Sequence, residues 1–438
     1  MPTAPDPRPD GIHPCLLDVF AILDDSGGDW LLLRGEEDLG QPTGDVDLLV
    51  SPALRRRLDR LLLAGSFVRV AAPGHGGHRF YFRYSDRDGS WIKLDIVSSL
   101  RFGKYQQLHL PLAGTCLAQR VRNGPLWLPA RSDKAWLYLL HLLLDKGGIP
   151  RDRVPGAVAA AADATLRGPL PTAVDQLLGA GSAEDILALL REGRSSDGAL
   201  LSARLRASAA RRHPLAWAWR SLAGIVLRRV PPTVQGVRRR GVTIGVMGPD
   251  GAGKTSLLSG LEGTLPVPAR YVHLGIWSGS SGRDLLERIP GRRLGTRAVR
   301  ILKAAGKAHY ARLRGTVVLV DRVPHDTQLP GSIDPSFGGR VCAALAFATL
   351  PTPDVLFTLD APGEIMFARK REHSVEQLET WRKAYLDLAR TLPGSYVLDA
   401  TRTPEVLRRQ AAGVVWRALA GRPSVAPREP AAKEAGHA

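Results

Sequence analysis

The stretch VTIGVMGPDGAGKT, residues 242–255, constrains this chain more than any other. An apolar, β-branched run from Val242 to Met247 enters a turn containing Gly248, Gly251 and Gly253, and Lys254-Thr255 opens a helical pattern reaching Leu261. Glycines at such positions let the backbone curl until successive N–H groups converge on one point. The helix that follows adds the positive end of its dipole. The spacing G-x-x-x-x-G-K-T between a strand and a helix is that of a phosphate-binding loop. Its expected nucleotide contacts are Gly248, Asp250, Gly251, Ala252, Gly253, Lys254, Thr255 and Ser256. Lys254 is expected on the β- and γ-phosphates of ATP, and the Thr255 hydroxyl on Mg²⁺.

The rest of the C-terminal half reads as strands alternating with helices. Strands are expected at Tyr271–Leu274, Val317–Val320, Val355–Leu359 and Tyr396–Leu398, and helices at Glu364–Arg371, Val375–Leu392 and Pro404–Leu419. That alternation implies a parallel sheet covered by helices on both faces. The run Val317–Val320 ends in Asp321, which would stand at the carboxyl end of a parallel strand, where open α/β sheets bind ligands. Asp321 suits the Mg²⁺ shell, and Arg322 offers a fork of donors to a phosphate. Downstream, Arg369, Lys370 and Arg371 cluster at a helix end. They can serve as dipole partners, or form a lid whose Arg369 and Arg371 neutralise charge during transfer.

GPDGAGKTS, the strand ending in Asp321-Arg322, PDVLFTLDAPGEIMFARKRE (353–372) and LETWRKAYLDLA (378–389) together resemble the thymidylate kinases over residues 241–420. The resemblance implies transfer of the ATP γ-phosphoryl group to a nucleoside monophosphate, dTMP or similar. It also implies that Asp250 faces the acceptor's sugar and Arg322 its phosphate. Ala252 stands where some members carry an arginine, so the lid would supply the catalytic cations. Val323 follows the Asp-Arg pair where that family usually has an aromatic residue, which leaves an acceptor other than dTMP open. An ATPase switch is the competing class for a loop of this kind.

A second constellation lies near the N-terminus. GDVDLLV (44–50) places Asp45 and Asp47 on one face of a strand. Asp95, in the alternating segment Trp91–Val97, is a third carboxylate, and three on adjacent strands would make a two-Mg²⁺ site for attack on a nucleotide α-phosphate. With Gly35 in the turn upstream, the arrangement resembles the nucleotidyltransferase superfamily over residues 30 to about 100. It implies an α+β domain with Gly35 near a triphosphate, although Glu36 stands where that superfamily usually has Ser. The alternatives are a solvated acidic strand end, or a domain that binds without catalysing. Nucleotidyl transfer to a small acceptor or sugar is the competing main activity.

These readings divide the chain into a nucleotidyltransferase-like domain (1–130), a Leu/Ala-rich helical region (131–230), a linker (231–240), the phosphate-loop domain (241–420) and a disordered Pro/Ala-rich tail (421–438). Lys and Arg exceed Asp and Glu by 18, all of it beyond residue 130, since the first 130 residues balance. Such a surplus suits a polyanion or a generally solvated surface equally. Residues 200–229, apolar and arginine-rich, suit weak contact with a membrane surface or nucleic acid, or a basic helix joining two domains. No base-stacking platform accompanies Arg238–Arg240, which argues against nucleic acid. Three scattered cysteines, no leader-like start and no apolar run long enough to span a bilayer point to a cytoplasmic protein, with room for a homodimer. His75 and His78 read as loop residues lacking a third metal ligand, and His273 and Trp277 as packing residues or acceptor contacts.

Overall fold

The computed structural model describes residues 11–230, 233–234, 241–273, 292–321, 323–329 and 337–421. Arg322, Trp277, Arg238–Arg240 and nearly all of the expected tail lie outside them, and of His273 only the backbone is described. The chain forms two compact units that divide at residue 236, the turn 86–89 grouping with the second.

In the first unit, helix α1 (Pro14–Asp25) precedes strands β1 (Trp30–Arg34) and β2 (Asp45–Val50), helix α2 (Pro52–Ala64), and strands β3 (Val68–Ala71), β4 (Arg79–Ser85) and β5 (Ser90–Val97). Ser51 starts α2 by accepting the Leu54 amide at 3.3 Å, and Pro52 presets the first turn. Leu54, Leu58 and Leu62 then fall on one buried stripe. The strands make one sheet in the order β1-β2-β5-β4-β3. In it β2 runs parallel to β5 with Asp47 opposite Asp95. Thr233 and Val234, within the expected linker, instead add a short edge strand to β3.

Two hairpins follow, β6 (Leu100–Phe102) with β7 (Leu108–Leu110), and β8 (Val121–Asn123) with β9 (Leu126–Leu128), separated by helix α3 (Ala113–Ala118). Six helices complete the unit: α4 (Arg131–Leu140), α5 (Val154–Asp163), α6 (Pro169–Leu178), α7 (Ser182–Arg191), α8 (Gly198–Arg212) and α9 (Pro214–Leu227). A π turn extends α4 through His141–Asp145. Leucines of this region build one core with β1, β2, the first hairpin and α3. The arginine-rich segment is thus two helices, broken where Pro214 cannot continue the α8 ladder.

The second unit is a five-stranded, wholly parallel sheet. Its elements are β11 (Thr243–Met247, after the edge strand, β10), α10 (Lys254–Thr264), β12 (Ala269–His273), α11 (Arg292–Leu313), β13 (Val317–Asp321), α12 (Phe337–Thr349), β14 (Val355–Asp360), α13 (Gly363–Arg369), α14 (Val375–Thr391), β15 (Ser395–Asp399) and α15 (Pro404–Leu419). The strand order is β12-β13-β11-β14-β15, every neighbouring pair parallel. Every residue of β11 and β13 is buried, as strands covered on both faces require. Helix α13 stops at Arg369, two residues short of the sequence expectation, because Lys370 turns to an extended backbone. Helices α11 and α12 had no counterpart in the sequence reading.

Gly245, in the middle of β11, is a close-approach glycine: a Cβ there would lie 2.4 Å from Val323 Cγ1 and 2.9 Å from Leu356 Cδ1. Gly245→Ala should therefore destabilise the C-terminal unit by about 1–3 kcal/mol, read as a lower urea midpoint for that unit with the N-terminal transition unmoved.

Candidate active site

The loop between β11 and α10 is built on three glycines with left-handed or near-mirror backbones, Gly248 (φ 147°), Gly251 (86°) and Gly253 (101°). Gly251 is also pressed against the last turn of α13, since a Cβ would stand 2.5 Å from the Met366 carbonyl oxygen. The phosphate loop and the base of the expected lid are therefore in direct contact. Lys254 is buried at the first position of α10, where its ammonium donates to the Gly248 carbonyl at 2.8 Å, the Pro249 carbonyl at 2.9 Å and Asp250 Oδ1 at 3.3 Å. A buried ammonium needs such partners, and here the loop supplies all three. Ala252 is buried beneath the loop, while Thr255 and Ser256 are exposed on the first turn of α10.

The parallel register sets Asp321, the last residue of β13, beside Val246 of β11. Thr255 Oγ1 lies 3.5 Å from Asp321 Oδ2, joining the helix start to the strand end. The Tyr271 hydroxyl donates to the same carboxylate oxygen at 2.5 Å. Burial, then the Asp321 hydrogen bond and charge, push the Tyr271 phenol well above its ordinary range, so it remains a donor. A hydroxyl and a carboxylate side by side form a hard-oxygen pair that fits Mg²⁺. Tyr271 escaped the sequence reading because its partner stands fifty residues away on a neighbouring strand.

The lid cations divide. Arg369 donates to the Ala400 carbonyl at 3.0 Å, tying the end of α13 to the loop after β15. Arg371 is exposed in the turn that follows. Lys370 pairs with Glu372 at 2.9 Å, and His373 approaches Asp250 Oδ2 at 4.0 Å while meeting the Trp381 ring edge-on. Among the described residues, Asp250, Glu372 and His373 are the one trio of acidic, His or Cys groups whose ligand atoms gather within 4.8 Å. Val323 is buried against β11, so the residue after the Asp-Arg pair belongs to the core and cannot stack on a base.

In the N-terminal unit, Asp45, Asp47 and Asp95 line one cavity of about 370 Å³, as the strand pattern implies. Each carboxylate meets a cationic or imidazole partner: Lys93 reaches Asp45 at 2.7 Å, Arg34 reaches Asp47 at 2.8 Å, and His78 Nδ1 lies 2.7 Å from both Asp95 oxygens. The three do not gather within the 4.8 Å that marks the Asp250 trio. His75 also lines the cavity, its ring nitrogen 3.1 Å from the Ala72 carbonyl. Gly35 (φ 84°) opens a single 3₁₀ turn, Glu36–Asp38, just outside the cavity lining, and Glu36 is ion-paired with Lys134.

Burial raises the Asp47 carboxyl above its ordinary range, with Asp95 and Asp45 adding to the rise and Arg34 opposing it.

The chain is similar to several thymidylate kinases. It is 32% identical over 200 residues to the thymidylate kinase of Xanthomonas campestris pv. campestris, covering 42% of this chain and 86% of that protein. It is 29% identical over 216 residues to that of Oenococcus oeni, covering 42% of this chain and 99% of the relative. To that of Xanthomonas euvesicatoria pv. vesicatoria it is 30% identical over 200 residues, with 42% and 86% covered. No family model matches the chain.

Removing the Arg34 guanidinium should leave Asp47 buried with its neighbouring carboxylates and no near counter-charge. Arg34→Met should cost the N-terminal unit about 1–3 kcal/mol at neutral pH. A carboxyl whose folded pKa is raised costs stability above that pKa and is relieved as it takes up a proton. The deficit should therefore shrink as pH falls through the Asp47 pKa, which denaturation of both proteins across pH will read.

Proposed function

The chain belongs to the thymidylate kinase family, through a region amounting to 42% of its length, and on that premise we propose that its phosphate-loop unit moves the γ-phosphoryl group of ATP to a nucleoside monophosphate. The observation that carries the reading is the meeting of a glycine-built loop, the Lys254 ammonium, the Thr255 hydroxyl and the Asp321 carboxylate at the carboxyl ends of β11 and β13.

In this reading Lys254 exchanges its loop oxygens for β- and γ-phosphate oxygens, and the loop amides orient the donor. Thr255 and Asp321 hold Mg²⁺, which when bound neutralises phosphate charge. An acceptor phosphate oxygen forms the new bond to the γ-phosphorus as the bond to the β,γ-bridging oxygen breaks, yielding ADP and a nucleoside diphosphate. Arg322 steadies the acceptor phosphate, and Asp250 faces its sugar. Arg371, free of the helix end, swings in with Arg369 over the transferring group and helps exclude water. The burial of Val323 favours an acceptor whose base is gripped elsewhere, so dTMP is one member of the class to be tested.

For the N-terminal unit we propose a nucleotide-binding role of nucleotidyltransferase type, supported by Asp47 and Asp95 standing in register on β2 and β5 beside Asp45. Metal binding there would require Lys93, Arg34 and His78 to give up their carboxylates. We place the protein in the cytoplasm; a homodimer is consistent with this reading.

Labelled ATP offered with a panel of nucleoside monophosphates should mark one acceptor class and release ADP in equal amount. Lys254→Ala should lower turnover about 10²–10³-fold; ADP formation without a labelled acceptor would favour an ATPase switch. Asp45→Asn with Asp47→Asn should leave that turnover within about twofold while removing nucleotide binding to the N-terminal cavity, measured by calorimetry with a non-hydrolysable triphosphate.

A further inference from the structure

Helix α9 exposes an apolar stripe along its whole length. Leu215 is 86% exposed, Trp219 70%, Leu222 57% and Val226 52%. At roughly 100° per residue these four positions fall within about 60° of arc. The opposite side fastens the helix to its unit. There Trp217 packs on the helical core, Ser221 accepts from Gln107 Nε2 at 3.1 Å, Gly224 rests on the Tyr105 ring, and the Arg228 guanidinium lies 5.0 Å above that ring. The helix is thus held flat by one face with the other turned outward.

The charge around the stripe has one sign. Residues 198–230 contain seven arginines and no aspartate or glutamate. Arg211 and Arg212 precede α9 and Arg229 follows it, all exposed. An apolar row ending in arginines at both ends, with a tryptophan near its middle, matches the boundary between acyl chains and anionic headgroups. A second copy would bring two acid-free, arginine-rich faces together and repel. A nucleic acid would satisfy the arginines but leave three aliphatic side chains against phosphates. The helix has 14 residues, about 21 Å at 1.5 Å each, too short to cross a bilayer core. No helix among the described residues is long and apolar enough to do so.

We propose that α9 is an interfacial helix that seats the protein on an anionic membrane surface, with Leu215, Trp219, Leu222 and Val226 entering the headgroup–acyl boundary and the flanking arginines on lipid phosphates.

The test is flotation of the full chain with vesicles of phosphatidylcholine, with and without phosphatidylglycerol. Binding should be about tenfold stronger to the anionic vesicles and should weaken as salt is raised. The variant Leu215→Gln, Trp219→Gln, Leu222→Gln should lose about tenfold in bound fraction while keeping the parent's circular dichroism melt. A measurement that needs no polar substitution accompanies it: bromine-labelled acyl chains should quench the wild type more than Trp219→Phe. No wild-type binding to anionic vesicles at low salt overturns the proposal, as does equal quenching of the two proteins. So would vesicle-inert protein that dimerises through the stripe, or that retains an oligonucleotide instead.

Discussion

The C-terminal unit depends on a buried ammonium. Lys254 lies at the end of a parallel sheet with almost no access to water, and an unpaired charge there would cost several kcal/mol. Two loop carbonyls and Asp250 satisfy it, and they can do so only because the chain turns back on itself at Gly248 and Gly251. A loop of this curl can turn its amides together toward an anion. In the proposed reading, the backbone shape that holds the lysine also forms the seat of the phosphate. The contact of Gly251 with the Met366 carbonyl extends this outward, because any shift of α13 is felt at the loop.

The N-terminal cavity uses the same physics with the sign reversed. Three carboxylates are brought together by strand register, and Lys93, Arg34 and His78 keep them from repelling one another. In both units the protein supplies the counter-charge that a ligand or metal would otherwise bring. Binding at either place would be an exchange of partners, its free energy a difference between two satisfied states. The exchange asks less of Lys254, whose partners are mostly neutral carbonyls, than of Asp47, whose partner is a full cation.

Sequence reading reached the features that are local. The glycine spacing, Lys254, Thr255 and the strand ending in Asp321 are fixed by neighbours a few residues away, and the fold brings them together. The D-x-D face of β2 was legible for the same reason. What stayed hidden was every partner brought in by tertiary structure. Tyr271 reaches Asp321 from an adjacent strand, His78 reaches Asp95 across a hairpin, and His373 reaches Asp250 from the turn after α13. Helix α12 was missed because its Gly- and Ala-rich stretch carries little periodicity, whereas α11 does bury Ile301, Ala304, Ala305, Ala308 and Ala311 at helical spacing, a signal muted because most of that stripe is alanine.

Pro214 has a consequence larger than one broken hydrogen-bond ladder. A continuous helix from Gly198 to Leu227 would carry the apolar positions of its second half along the axis set by the first. The break frees α9 to take its own direction, and Gly224 then lets it settle on the Tyr105 ring, where any larger residue would hold it off. A row of large apolar residues turned outward inverts the usual arrangement of a surface helix. In water that inversion forgoes the burial of four large side chains, and no contact among the described residues recovers it. A face so arranged, with arginines at its two ends, is a cost only while the protein is alone in solution.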